Sequence, residues 1–298
     1  MVKIFAAVVK PMVRVMMKAY GIKPKLVEIE PGTIIRFWIP CKSRTNPAKP
    51  NVVFLHGFAT DGIFNWQSQV QALSGKYSVY VPDLLFFGAS TTNKPQRSME
   101  FHAECLVKGL KSFGVEKFTV AGLSYGATLG FKMAKLYPEM VQCIVASGTA
   151  IELSESISRV SLKNIGHSSW SEFLMPDSTK GLTTFFSIAS QKPPSLPEFA
   201  AKDFLKEFFG NRKERDEILK AWVIKDNDVA PCNYSQKVYL LWGEDDKIFK
   251  KEVAQNIKRQ LGEQANLEFI KDAGHLVHSD QASEYNQCLK NILAYVNK

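Results

Sequence analysis

The sequence predicts an α/β protein with a mostly parallel central sheet flanked by helices and interrupted once by a helical block. Three observations carry this. Short apolar runs alternate with amphipathic runs from about residue 50 to 149. The alternation stops over residues 150–231, which hold no apolar run of strand type. It then resumes from residue 237 to the end of the chain. Strands that are apolar throughout, rather than at every second position, are buried on both faces, as helical crossovers on a parallel sheet require. A chain of 298 residues that is 45% hydrophobic has enough apolar mass for one large core.

Taken in order, the first element is "MVKIFAAVVKPMVRVMMKAYG", read with the next few residues as an amphipathic helix over 1–24. At about 100° per residue, Lys3, Lys10, Arg14 and Lys18 fall on one narrow stripe. Charges and Pro11 break the apolar runs, so the segment cannot span a bilayer, and Ile4 to Val9 is short for a signal-peptide core. Two readings stand: a helix packed on the body, and peripheral membrane contact through residues 1–20. "LVEIE" and "TIIRFWIP" flank Pro31-Gly32 as a hairpin. Strand-like runs at 51–57, 77–83, 117–124 and 141–148 alternate with helical runs, and "KVYLLWGEDD" and "NLEFIKDAGH" continue the pattern after the insertion. The core is therefore assigned to 25–149 and 232–298, with the helical insertion at 150–231. The insertion is rich in aromatics. Its charged positions, among them Lys206, Arg212 and Arg215, are expected to face water.

Composition excludes several classes. The net charge of +9 is spread along the chain without a basic block or an aromatic-plus-basic module, so no nucleic-acid partner is expected. Five cysteines, an odd number with no CxxC pair, fit reduced thiols and a cytoplasmic location. No His, Cys and acid cluster has metal-ligand spacing, and the glycines form no phosphate cradle, so neither metal nor cofactor is expected.

The chemistry concentrates at strand ends. "FTVAGLSYGATLG" places Ser124 between a strand and a helix, with Gly122 and Gly126 leaving room for a tight turn. A serine hydroxyl needs a base, and the base needs a carboxylate to fix its tautomer. "DAGHLVH" offers His275 as base. "LLWGEDD" offers Asp245 or Asp246 as the acid. The C-terminal ends of parallel strands line one edge, so these groups converge there. An oxyanion needs two aimed N–H donors. Tyr125, after the serine, supplies one, and Phe58 in "FLHGFATDG" supplies the other. His102 and His167 are read as structural, His278 as surface or supporting, and Asp83 as a brace for the loop after its strand.

"HGF", "PDLLFFGAS", "GLSYG", "WGEDD" and "AGH", in that order and spacing, make the chain resemble an α/β-hydrolase with a helical lid from about residue 25 onward. It is most similar to lidded plant esterases and monoacylglycerol-lipase-like members, with meta-cleavage C–C hydrolases as cousins. The resemblance implies the α/β-hydrolase fold and a catalytic triad of Ser124, Asp246 and His275, the acid being the third residue after the glycine of "WGEDD". Dehalogenases and epoxide hydrolases of this fold carry an acid at the nucleophile position, which Ser124 does not supply. Lys250 stands where a proline is common, and "HSDQ" lacks the usual Glu-x-Pro. The expected function is hydrolysis of an ester or related activated carbonyl of an apolar small molecule, with Trp170, Phe173, Phe186 and Trp222 lining the substrate site. The alternatives are a slow-turnover ligand receptor of the same fold, or a C–C hydrolase, acyltransferase or lyase using the same triad.

Overall fold

The computed structural model describes residues 3–41 and 49–298. Its centre is a sheet in the order β1-β2-β4-β3-β6-β7-β10-β11. Strands β1 (Ile22–Glu30) and β2 (Thr33–Pro40) form the expected hairpin, and β2 meets β4 (Ser78–Pro82) antiparallel. From β4 onward every pairing is parallel, through β3 (Asn51–Leu55), β6 (Phe118–Leu123), β7 (Val141–Ser147), β10 (Lys237–Gly243) and β11 (Ala265–Ile270). The two-residue β5 (Thr91–Thr92) adds to β2. The central strands β4 and β6 are buried at every position, as their unbroken apolar runs require.

Strand β1 begins at Ile22, four residues before the run that signalled it, so residues 22–24 are strand and not helix. The cause is pairing rather than local preference. Eight residues of β2 offer partners out to Ile22 opposite Pro40, and an edge strand with solvent on one side tolerates Lys23 and Pro24.

Helices cover both faces. On one lie α1, α2 (Gly62–Leu73) and α12 (Ala282–Val296), around a core that includes Met17, Trp38, Trp66, Val70, Tyr285 and Leu289. On the other lie α3 (Met99–Lys111), α4 (Tyr125–Leu136) and α10 (Lys251–Leu261). That second core continues without a break into the aromatic side chains of the insertion. Helix α1 opens with a wider π turn at Phe5–Val9 and runs on as α-helix over Lys10–Ala19.

The insertion holds α5 (Glu155–Ile165), α6 (Trp170–Leu174), α7 (Thr179–Ala189), α8 (Glu198–Phe208) and α9 (Arg212–Trp222). A short parallel ladder, β8 (Leu153–Ser154) against β9 (Val223–Ile224), closes its two ends together. Serines start three of these helices. Ser154, Ser169 and Ser178 each accept from the backbone N–H three residues on, satisfying a donor that the first turn leaves free.

One expectation for this block is overturned. Arg215 does not face water but is 4% exposed. Its Nε donates to Phe86 O at 3.0 Å and its Nη1 to Phe208 O at 2.6 Å, while the guanidinium lies 3.9 Å over the Phe87 ring. Backbone carbonyls and an aromatic face can solvate a planar cation, which is why burial is tolerated there.

Candidate active site

Ser124 occupies φ 54°, ψ −123°, a conformation costly for a residue with a Cβ. The surroundings enforce it. Its N–H donates to Ser147 O at 2.9 Å, its carbonyl accepts from Ala127 N and Thr128 N, and Thr149 Oγ1 donates to the same carbonyl at 2.9 Å. The elbow also needs Gly126, because a Cβ there would stand 2.4 Å from Leu55 O and 2.5 Å from His56 O. That close approach sets the start of α4 against the end of β3. The Ser124 hydroxyl has no hydrogen-bond partner among the described residues.

The acid and base meet at the same edge. Asp246 Oδ2 accepts from His275 Nδ1 at 3.0 Å, and its Oδ1 accepts from Ile248 N at 2.8 Å and Phe249 N at 3.0 Å. Asp246 is 3% exposed, whereas its neighbour Asp245 is exposed. Three bonds to one buried carboxylate fix its orientation, and they put the second nitrogen of His275 on the far side of the ring. Ser124 reaches this pair through the end of β7. Gly148 follows Ser147 at φ +53°, and a Cβ on it would lie 2.7 Å from His275 Nδ1 and 3.1 Å from Asp246 Oδ2. Residues 147–149 thus touch Ser124 on one side and the His275–Asp246 pair on the other.

The two expected oxyanion donors are neighbours. The rings of Phe58 and Tyr125 pack edge to face at 5.5 Å, and neither backbone N–H has a backbone partner among the described residues. Two buried histidines brace this corner. His56 Nε2 accepts from Leu84 N at 2.9 Å, so its Nδ1 carries the proton and donates to Gly57 O. His102 Nε2 accepts from Leu85 N at 2.8 Å, so its Nδ1–H reaches the Tyr125 hydroxyl. Burial lowers their pKa to about 4 and about 3, keeping both neutral. His278 is buried rather than at the surface; its Nε2–H donates to Asn65 O, and burial lowers its pKa to about 4. Asp83 holds the loop after its strand as expected, accepting from Gly62 N and Ala89 N and pairing with Arg36.

The insertion contributes a ring of aromatics. Trp222 packs on Tyr125 at 5.4 Å and hydrogen-bonds Thr128 Oγ1, and Trp170 packs on Trp222 at 5.5 Å. Trp170 also stacks on Phe249, which in turn lies 6.0 Å from the His275 ring. Phe173 and Phe186 stand further off, joined through Phe185 and leading toward Phe204 and α1. A cavity of about 370 Å³ between α5 and α10, lined by Ile151, Ile157 and Val253, includes none of these aromatics and lies outside the ring. Sequence reasoning missed Phe249 and Asp280. Asp280 accepts from Gly274 N, Ser190 Oγ and Gln191 N, tying the His275 loop to the end of α7. Leu276 N adds a bond to Ala189 O at the same seam. The signal for Asp280 was an acid five residues after the histidine.

Comparison with known proteins agrees with this fold. The family model for the alpha/beta hydrolase fold matches residues 50–282. Epoxide hydrolase 4 of Mus musculus is 24% identical over 275 residues, covering 80% of this chain and 71% of that protein. Lipase 1 of Psychrobacter immobilis is 27% identical over 245 residues, covering 78% and 73% respectively. A crystal structure of a membrane phospholipase A, described as a bacterial virulence factor, superposes with a TM-score of 0.79 at 20% identity over 98% of this chain and 91% of that one, a likeness of fold.

Proposed function

The chain belongs to the alpha/beta hydrolase fold family, and from that premise we propose that it is a serine hydrolase acting on an ester, or a related activated carbonyl, with an apolar acyl group. The observation that carries the reading is Ser124 on its strained strand–helix elbow, joined through residues 147–149 to a buried His275–Asp246 pair. Ser124 Oγ attacks the carbonyl carbon while His275 Nε2 takes its proton. Asp246 fixes the tautomer and stabilises the imidazolium. The Phe58 and Tyr125 N–H groups receive the oxyanion. His275 returns the proton to the leaving alkoxide, and the alcohol departs from an acyl-enzyme on Ser124. Water, deprotonated by His275, then frees the acid and restores the serine.

Trp222, Trp170 and Phe249 pack in a row from Tyr125 of the elbow to the His275 ring, and Ser124 is 4% exposed. A substrate that reaches it displaces apolar side chains, so its acyl part must return that contact area. The name of the mouse relative raises epoxide opening as a rival. That chemistry, in enzymes this chain resembles, uses a carboxylate at the elbow, and the residue there is Ser124.

The test joins a fluorophosphonate probe with a series of p-nitrophenyl esters of rising chain length. The probe should label Ser124 alone, and Ser124→Ala should abolish labelling and lower ester turnover by several orders of magnitude. Labelling that persists in Ser124→Ala overturns the assignment. Labelling without turnover of any ester overturns the ester reading and leaves a ligand receptor, or another reaction of the same triad.

A further inference from the structure

Helix α1 is apolar on two opposite faces. One face, with Phe5, Val13 and Met17, is buried against the body. Phe5 packs among Phe64 of α2 and Phe204 and Phe208 of α8, and its N–H donates to Asp203 Oδ2 at 2.7 Å. Lys10 turns inward as well, pairing with Glu207 and lying 4.8 Å over the Phe208 ring. The structure therefore takes Lys10 out of the basic stripe and uses it to dock the helix.

The other face is exposed. Val8, Met12 and Val15 are 54%, 57% and 69% exposed. At about 100° per residue these three positions fall within a sector of roughly 60°. Arg14, Lys18 and Lys3, all exposed and without an ion pair among the described residues, flank this row. The charge is one-sided along the whole segment: Lys3, Lys10, Arg14, Lys18, Lys23 and Lys25 precede the first acid, Glu28. Phe5 sits beside Asp203 and Lys10 beside Glu207, so α1 and α8 run side by side in the same direction. No described helix is long and apolar enough to cross a membrane.

We infer that this face docks the protein on an anionic lipid surface. A row of aliphatic side chains beside cations, lying flat on a folded body, fits the boundary between headgroups and acyl chains, where the apolar row enters and the Lys and Arg heads stay with the phosphates. The uncompensated positive charge selects an anionic surface over a zwitterionic one, each cation near such a surface adding roughly fivefold to partitioning. Docking this way sets α1 between the lipid and α8, the helix of the aromatic insertion on which Phe5 and Lys10 pack. The inference stands whatever reaction Ser124 performs.

The test is flotation of the full chain with vesicles of phosphatidylcholine alone and of phosphatidylcholine mixed with phosphatidylserine. Binding is expected to the mixed vesicles, weak for phosphatidylcholine alone, and reduced by salt. Met12→Glu/Val15→Glu and, separately, Arg14→Glu/Lys18→Glu should each weaken binding by roughly tenfold or more. Both pairs are exposed, so circular dichroism and ester turnover in detergent-free buffer should match the parent and report an intact fold. No binding to the mixed vesicles overturns the inference. So does binding that survives Met12→Glu/Val15→Glu, or a dimer in sedimentation that this variant abolishes while lipid binding is absent.

Discussion

Asp245 and Asp246 are adjacent on one turn and chemically identical, yet their surroundings differ completely. Asp246 is buried with three donors on it, and Asp245 is exposed, its own N–H tied to Ala273 O. Asp246→Asn should lower kcat by about 10⁴, because an amide at that place turns His275 to the wrong tautomer. Asp245→Asn should change kcat less than threefold, the loss of one exposed charge being weakly felt in water. Steady-state turnover of one p-nitrophenyl ester decides it, and reversed effects would show that the acid has been misplaced. The sequence alone could place an acid on this turn but not choose between neighbours, since which carboxylate points inward depends on the bonds from residues 248, 249 and 275. Ser124 was legible because its determinants are local: an apolar strand, two small residues and a helix. Asp280 was not, because its partners Ser190 and Gln191 are some ninety residues away in sequence.

At the scale of elements, the parallel strands were legible as unbroken apolar runs, and the insertion as the place where those runs stop. The seam between insertion and core was not legible, because it is made of charged residues used against type. Arg215 reads as one more cation on a polar helix, yet it bonds the carbonyls of Phe86 and Phe208 and covers Phe87. Asn211 Nδ2 donates to the same Phe86 carbonyl at 3.0 Å, and Phe87 packs on Phe58 at 4.9 Å. Helix α9 is therefore pinned to the loop that packs on Phe58, the proposed oxyanion donor. Arg215→Ala removes two charge-assisted hydrogen bonds and a cation–ring contact, and should cost about 3 kcal/mol in urea unfolding. Hydrogen exchange should rise across α9 and the 84–90 loop while α12, on the other face of the sheet, keeps its protection. A cost under about 0.5 kcal/mol, the range of an ordinary surface change, would mean that the seam does not depend on Arg215.

For the molecule as a whole, the buried histidines set how stability responds to acid. Burial lowers His56 to about 4, His102 to about 3 and His278 to about 4, against an ordinary value of 6.5. Below pH 6.5 the unfolded chain binds protons on all three, and the folded chain refuses them until about pH 4. Their contribution is thus fully present above 6.5 and lost as pH falls through that window. Asp83 opposes them: burial and then the nearby Asp61 raise it to about 6 from 3.8, so the folded state takes up its proton first, and this contribution grows as pH falls from about 6 to 3.8. Three groups against one leave unfolding with a net uptake of about two protons near pH 5. That corresponds to a loss on the order of 2 to 3 kcal/mol per pH unit, a large share of the stability of a typical domain. Urea unfolding between pH 7 and 5 should show stability falling with that sign. In His278→Gln the slope should drop by about one proton, whatever the substitution does to stability at pH 7, because the side chain that refused the proton is gone. A flat profile over this range, or an unchanged slope in His278→Gln, would mean that these imidazoles do not resist protonation in the folded protein.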